Sequence, residues 1–244
     1  MESIIPIPIG IEHMKSGSDT LNFMLHYQKT YVMDNHLGAG WCWLHELNPK
    51  QQYNFFHIDQ HEDLGAALDP KYYQHLKNDP KVPIDEYVSL SYRESFYQGK
   101  VFIWDNYIKQ IQRLFPDWFS NCYFACPSDV YDPSHSPALS LNIVYNANPL
   151  ELYNNIDYLI KKERRQFIVN LDIDYFFDDK CMPLYSEEYI RAFAQHLNDA
   201  MENIAVLTIA LSPECCGGWE QAFRVYEIVA KELDVIDSYD AIGI

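Results

Sequence analysis

The sequence predicts an α/β protein built on a mainly parallel sheet with helices on both faces, and three observations carry that expectation. Short runs rich in β-branched and aromatic residues alternate with longer helical patterns. Those short runs are apolar throughout rather than alternately polar, the pattern of strands covered on both faces. No repeat, low-complexity tract or Gly/Ser linker interrupts the 244 residues, so the whole chain, 1–244, reads as a single domain.

In order, the strands are expected at 31–34 (YVMD), 53–59 (YNFFHID), 121–126 (NCYFAC), 166–174 (QFIVNLDID) and 205–212 (AVLTIALS). Helices are expected around 37–47, 106–115, 149–163, 186–203 and 218–233. The helix at 186 opens on SEEY, a serine cap followed by two acids that suit the positive end of the helix dipole.

Composition narrows the function classes. The chain is 48% hydrophobic and 15% aromatic, enough to bury a sizeable core. Its 18 Lys and Arg against 35 Asp and Glu leave a net charge of −17, which argues against nucleic acid or an anionic membrane as a partner and favours a cationic one. The same charge also serves plain solubility. The six cysteines have no CxxC spacing and read as reduced thiols. With no signal-peptide pattern and no membrane-length apolar run, the expected location is the cytoplasm. The sequence does not specify an oligomeric state.

Polar residues collect where the expected strands end. YVMD runs into Asn35 and His36, YNFFHI into Asp59, His61 and Asp63, QFIVNL into Asp172 and Asp174, and AVLTIAL into Ser212 and Glu214. In open α/β sheets ligands gather beyond the carboxyl ends of the strands. If these strands are parallel neighbours their acids converge, and packed carboxylates repel unless a cation compensates them. Two histidines and four aspartates form a mostly hard donor set that suits Mn²⁺ better than a thiolate zinc site. Two metals sharing carboxylates can activate a water between them. Taken alone, the DxHxD segment also fits a helix-capping aspartate and a backbone-bonded histidine. A third strand end delivering His36 weakens that reading, because buried acids need partners.

HIDQHEDL followed by NLDIDYFF resembles the metal signature of the arginase and deacetylase superfamily, and the 23-residue interval from His36 to Asp59 is similar to that of arginases. MDNH, FHIDQHEDL, WDNYI and TIALSPECCGGW are more similar to a divergent arginase-related family that includes peptide arginases, which convert arginines in ribosomally made precursor peptides to ornithine and urea. The resemblance implies a three-layer α/β/α fold and two Mn²⁺ ions. It implies one ion on His36, Asp59, Asp63 and Asp172 and the other on His61, Asp59, Asp172 and Asp174, with Asp59 and Asp172 bridging. The sequence departs from free-arginine arginases in lacking Asp-Pro after the DxD, in having MDNHLG around the first histidine, and in offering no counterpart of the loop that grips the free amino acid.

For catalysis, Asp174 is the expected proton carrier. Glu214 is the expected guanidinium acceptor, though as an ordinary residue it would cap the helix beginning near Gly217. His75 is a candidate proton shuttle that also reads as a surface histidine. Asp105 and Asn106 are candidate substrate contacts that equally fit helix capping. Trp41 and Trp43 fit a core helix stripe. An amidohydrolase of the deacetylase branch would need fewer acids, and a non-catalytic acidic module would keep its metal only for structure.

Overall fold

The computed structural model describes residues 2–126, 143–146 (backbone) and 148–235. An eight-stranded sheet runs through it in the order β1-β2-β3-β10-β9-β4-β7-β8. Its strands are β1 (Glu2–Ile5), β2 (Met24–Tyr27), β3 (Thr30–Met33), β4 (Asn54–Ile58), β7 (Cys122–Ala125), β8 (Ile143–Asn146), β9 (Phe167–Asp172) and β10 (Ile204–Ala210). From β3 to β8 every neighbouring pair is parallel, while β1 and β2 extend the edge antiparallel. A separate hairpin pairs β5 (Ser91–Glu94) with β6 (Tyr97–Lys100).

The all-apolar strands owe that character to helices on both sides. In β4, Phe56 and Ile58 join one core with Val169 and Leu171 of β9 and with α4 (Pro149–Lys161), α5 (Glu187–Asp199) and α6 (Trp219–Glu232). Phe55, Ile168 and Val206 point the other way, into a second core with α1 (Ala39–Glu46), α2 (Ile84–Ser89) and α3 (Tyr107–Leu114). This two-residue alternation is that of a strand buried on both faces, and the result is an α/β/α sandwich. Trp41 and Trp43 of α1 lie buried in the second core, as a helix stripe should. Among the described residues no helix is long and apolar enough to cross a membrane.

The expected strands and helices are present, with ends that differ by a few residues. The serine cap at 186 forms, its side chain accepting from the Tyr189 amide. The α4 helix begins with a capping box in which Asn148 and Glu151 bond reciprocally. Sequence reasoning passed over β1, β2, the β5–β6 hairpin, β8 and α2, because runs of four to six residues carry too little periodicity to register.

Topology positions the site. β3, β10, β9 and β4 are consecutive in the sheet, and their carboxyl ends are level: Met33 pairs with Ala210, Ala210 with Asp172, and Ile58 with Leu171. The four segments that end in acids and histidines therefore open onto one edge of the sheet.

Candidate metal centre

Asp59, Asp172 and Asp174 place carboxylate oxygens within 4.8 Å of one another, and His36, Asp59 and Asp63 form a second such group around the shared Asp59. All five of these residues are buried. His61 stands nearer solvent, with its Nδ1 3.0 Å from Asp174 Oδ2 and 3.5 Å from Asp59 Oδ1. Nearby backbone fixes several of these side chains. The Asp59 carboxylate accepts from the His61 amide at 2.6 Å, the Asp172 carboxylate accepts from the Asp174 amide at 2.9 Å, and Asp63 sits in the left-handed region at φ 52°. A non-glycine residue in that region is strained, and such strain concentrates at functional positions.

The electrostatics point to a cation. His36 Nδ1 lies 2.8, 3.3 and 3.5 Å from oxygens of Asp172, Asp63 and Asp59, yet no hydrogen bond of proper geometry satisfies it. Asp59 Oδ2 is likewise buried without a hydrogen-bond partner. One imidazole nitrogen ringed by three carboxylates, none of them in hydrogen-bonding geometry, is the arrangement of ligands turned toward a common centre. Burial drives the Asp63 carboxyl far up, against the pull of His36 and with the push of Asp59 and Asp172. Burial together with Asp172 and Asp59 does the same to Asp174. His61 is raised to about 11 by its bonds to Asp174 and Asp59. Burial opposes a charge on His36, but Asp63 and Asp172 overcome it and raise that imidazole well above its ordinary value. Protons alone leave these acids competing, whereas divalent cations compensate all of them at once. The donor set, two imidazoles and four carboxylates, fits hard or borderline divalent ions.

A layer of polar side chains supports the ligands from inside the sheet. His57, Asn170 and Thr208 are register partners across β4, β9 and β10. Thr208 donates to Asn170 Oδ1, and Asn170 Nδ2 reaches both His57 Nδ1 and the Tyr107 hydroxyl. Tyr107 then donates to Asp63 Oδ2 at 3.1 Å, and His57 Nε2 donates to the His61 carbonyl at 3.0 Å. Burial lowers the His57 pKa, so a neutral ring protonated at Nε2 satisfies every member of this network. Sequence reasoning missed these residues. Their signal was one polar residue inside each apolar strand: the His of NFFHI, the Asn of FIVNLD and the Thr of IAVLTIA.

At the centre opens a cavity of about 300 Å³ whose lining includes His36, His61, Asp63 and Asp174 together with Ser16, Trp104, Asp105 and Glu214. Glu214 is exposed and accepts from the Ser16 amide at 3.3 Å. It caps no helix, since α6 begins at Trp219, after Gly218 at the cap position, with no side-chain cap. Asp105 lines the cavity, and the chain at Gly65 passes close by it, the Gly65 amide donating to the Asp105 carbonyl at 2.5 Å, where a Cβ on residue 65 would meet that oxygen at 2.7 Å. Asp105 Oδ1 has no hydrogen-bond partner.

Two expected site residues lie elsewhere. His75 is half exposed on a 3-10 turn, its Nε2 3.7 Å from Glu86, and does not line the cavity. Asn106 is buried with its side chain bonded to the Ile103 amide and the Val101 carbonyl, so it shapes the turn before α3 and does not reach substrate space. Conversely, Ser16, Trp104 and Cys215 line the cavity without having been expected there.

Fold and site together define an α/β protein with a carboxylate–imidazole centre, of the kind that holds divalent cations, at the carboxyl edge of a parallel sheet. Two solved structures are similar to the chain: proclavaminate amidino hydrolase from Streptomyces clavuligerus and the arginase of Entamoeba histolytica in complex with L-ornithine. The first is 10% identical, over 86% of this chain and 63% of that one, with a TM-score of 0.48. The second is 14% identical, over 87% of this chain and 69% of that one, with a TM-score of 0.42. The chain thus spans under two thirds of the length of the first. No family model and no curated protein matches the sequence.

Proposed function

We propose that the protein is a metal-dependent hydrolase of guanidino C–N bonds, acting on arginine side chains within a peptide to leave ornithine and release urea. The observation that carries this reading is the convergence of His36, Asp59, His61, Asp63, Asp172 and Asp174 at a cavity whose lining holds two further acids, Glu214 and Asp105. Those six residues would hold two cations, which we take to be Mn²⁺, with Asp59 and Asp172 as the ligands they would share. Glu214 and Asp105 suit a cationic group.

Bound cations would supply Lewis-acid activation of a water molecule near neutral pH. The protein's own residues do the rest. Glu214, steadied by the Ser16 amide, accepts paired N–H bonds from the guanidinium, and the Asp105 carboxylate on the cavity lining offers a further acceptor. Asp174 is held on two sides, Oδ1 by the Gln60 amide at 3.1 Å and Oδ2 by His61 at 3.0 Å, and it faces the cavity. There it takes a proton from the attacking water and returns it to the departing ornithine nitrogen. The cavity is at the small end of ligand pockets, a size for one side chain. The net charge of −17 favours a peptide with several cations over a neutral one.

Mass spectrometry of an arginine-containing peptide incubated with Mn²⁺-loaded protein tests the proposal. Each converted arginine should lose about 42 Da, and urea should appear in equal amount. An unchanged peptide mass with both cations bound would refute it.

A further inference from the structure

We propose that Cys215 is a metal ligand, so that the two cation positions are chemically unequal: one served by nitrogen and carboxylate donors, the other also by a thiolate. The proposal rests on the reading of the centre as metal-binding and adds to it an unexpected ligand and a metal preference.

Three observations meet at this residue. The sulfur of Cys215 lies within 4.8 Å of donor atoms of His61 and Asp174, which are themselves 3.0 Å apart. Sulfur, imidazole and carboxylate thus share a volume that one ion spans after small side-chain movements.

The second observation separates Cys215 from the other five cysteines. Cys42 donates to Gly38 O, Cys122 to Phe119 O, Cys126 to His61 O, Cys181 to Glu214 O and Cys216 to Leu211 O. Among the described residues Cys215 is the one thiol with no acceptor.

Third, the turn that carries it is built to present it. Ser212 has φ 40°, and Gly217 and Gly218 have φ 79° and 115°, all in the left-handed region. The Cys215 amide donates to Ser212 O and the Gly218 amide to Pro213 O, both at 2.9 Å. Ser212 is tied at its own amide to Asp34 O and at its hydroxyl to Asp172 Oδ2. Consecutive residues of this turn diverge: Glu214 goes to the rim beside Ser16, Cys215 to the cavity wall and Cys216 into the core. A core-filling role explains Cys216 and leaves Cys215 unexplained.

On coordination the S–H bond breaks, the proton leaves to buffer and the sulfur electron pair goes to the cation, with no change of oxidation state. A thiolate donor favours Zn²⁺, Co²⁺ or Fe²⁺ over Mn²⁺ at that position, while the position at His36, Asp59 and Asp63 keeps a hard set.

Cobalt tests this without reference to turnover. Metal-free full-length protein is titrated with Co²⁺, with bound metal counted by elemental analysis. The expected result is visible cobalt bands together with a near-ultraviolet sulfur-to-cobalt charge-transfer band that saturates with one of the two ions. Cys215→Ser should abolish the near-ultraviolet band, keep visible bands from the other ion, and weaken one cobalt position by more than about 10-fold. Cys126→Ser, beside His61, should keep the band. Bound cobalt with no near-ultraviolet band, or the same band in Cys215→Ser, overturns the thiolate assignment and leaves the hydrolase reading standing. Failure of the wild-type protein to bind cobalt, zinc or manganese overturns both. Should Cys215→Ser not fold, alkylation of wild-type protein decides: Zn²⁺ should shield Cys215 from N-ethylmaleimide, read by peptide mass, and equal labelling with and without Zn²⁺ counts against the proposal.

Discussion

Glu214 differs in kind from the six residues of the metal-type cluster, being exposed, held by one backbone amide and free of any capping duty. Glu214→Gln keeps the shape and weakens the charged acceptor, so fold and metal content should persist. Losing an orienting charged hydrogen bond should cost about 2 to 4 kcal/mol in the transition state, or roughly 30- to 1000-fold in kcat/KM. Normal turnover of peptide by this variant would move the role to Asp105. The buried acids predict a different pattern. Asp59 belongs to both carboxylate groups and Asp63 to one, so Asp59→Ala should abolish binding of the pair of cations and Asp63→Ala should leave one. Elemental analysis of the two variants separates these outcomes, and two metals per chain in Asp59→Ala would contradict the shared role.

At the scale of elements, a loop rather than a strand decides the shape of the cavity. Ser16 lines the cavity, and Asp34, just after β3, gathers the segment that carries it. Its carboxylate accepts from Ser16 Oγ at 2.9 Å, from the Asn22 amide at 2.8 Å, from Asn22 Nδ2 at 2.7 Å and from the Phe23 amide at 3.2 Å. Burial pushes the Asp34 carboxyl upward, against the pull of these donors. Asn35 Nδ2 adds a bond to Gly17 O, and the Trp104 amide one to Ser18 O. Asp34→Ala would strand several buried donors and should cost on the order of 3 kcal/mol, a fall of roughly 10 °C in Tm. Because the Ser16 amide holds Glu214, KM for peptide should rise as well. An unchanged Tm measured by circular dichroism would show that the loop is held by other means.

For the whole molecule the decisive property is charge. With 35 acids against 18 bases and acidic groups on the cavity rim, a cationic peptide should be drawn in, and kcat/KM for it should fall as salt shortens the screening length to about 8 Å near physiological strength. Free arginine, with its own carboxylate, should be the poorer substrate and less sensitive to salt. Steady-state rates at two ionic strengths decide this, and equal or better turnover of the free amino acid would refute peptide preference.

The sequence by itself determined the α/β class and the expected strands β3, β4, β7, β9 and β10, because strands buried on both faces must be apolar along their whole length and so announce themselves in one dimension. It also marked the acids and histidines at four strand ends, since polar residues directly after such runs have no packing reason to be there. Only the tertiary structure decided that β3, β10, β9 and β4 are neighbours, which turns four separate motifs into one centre. Only the structure removed His75 and Asn106 from the cavity and brought in Ser16, Trp104 and Cys215. Those placements depend on loop paths set by bonds between residues far apart in the chain, Asp34 to Asn22 or Glu214 to Ser16, and local periodicity holds no record of such pairings.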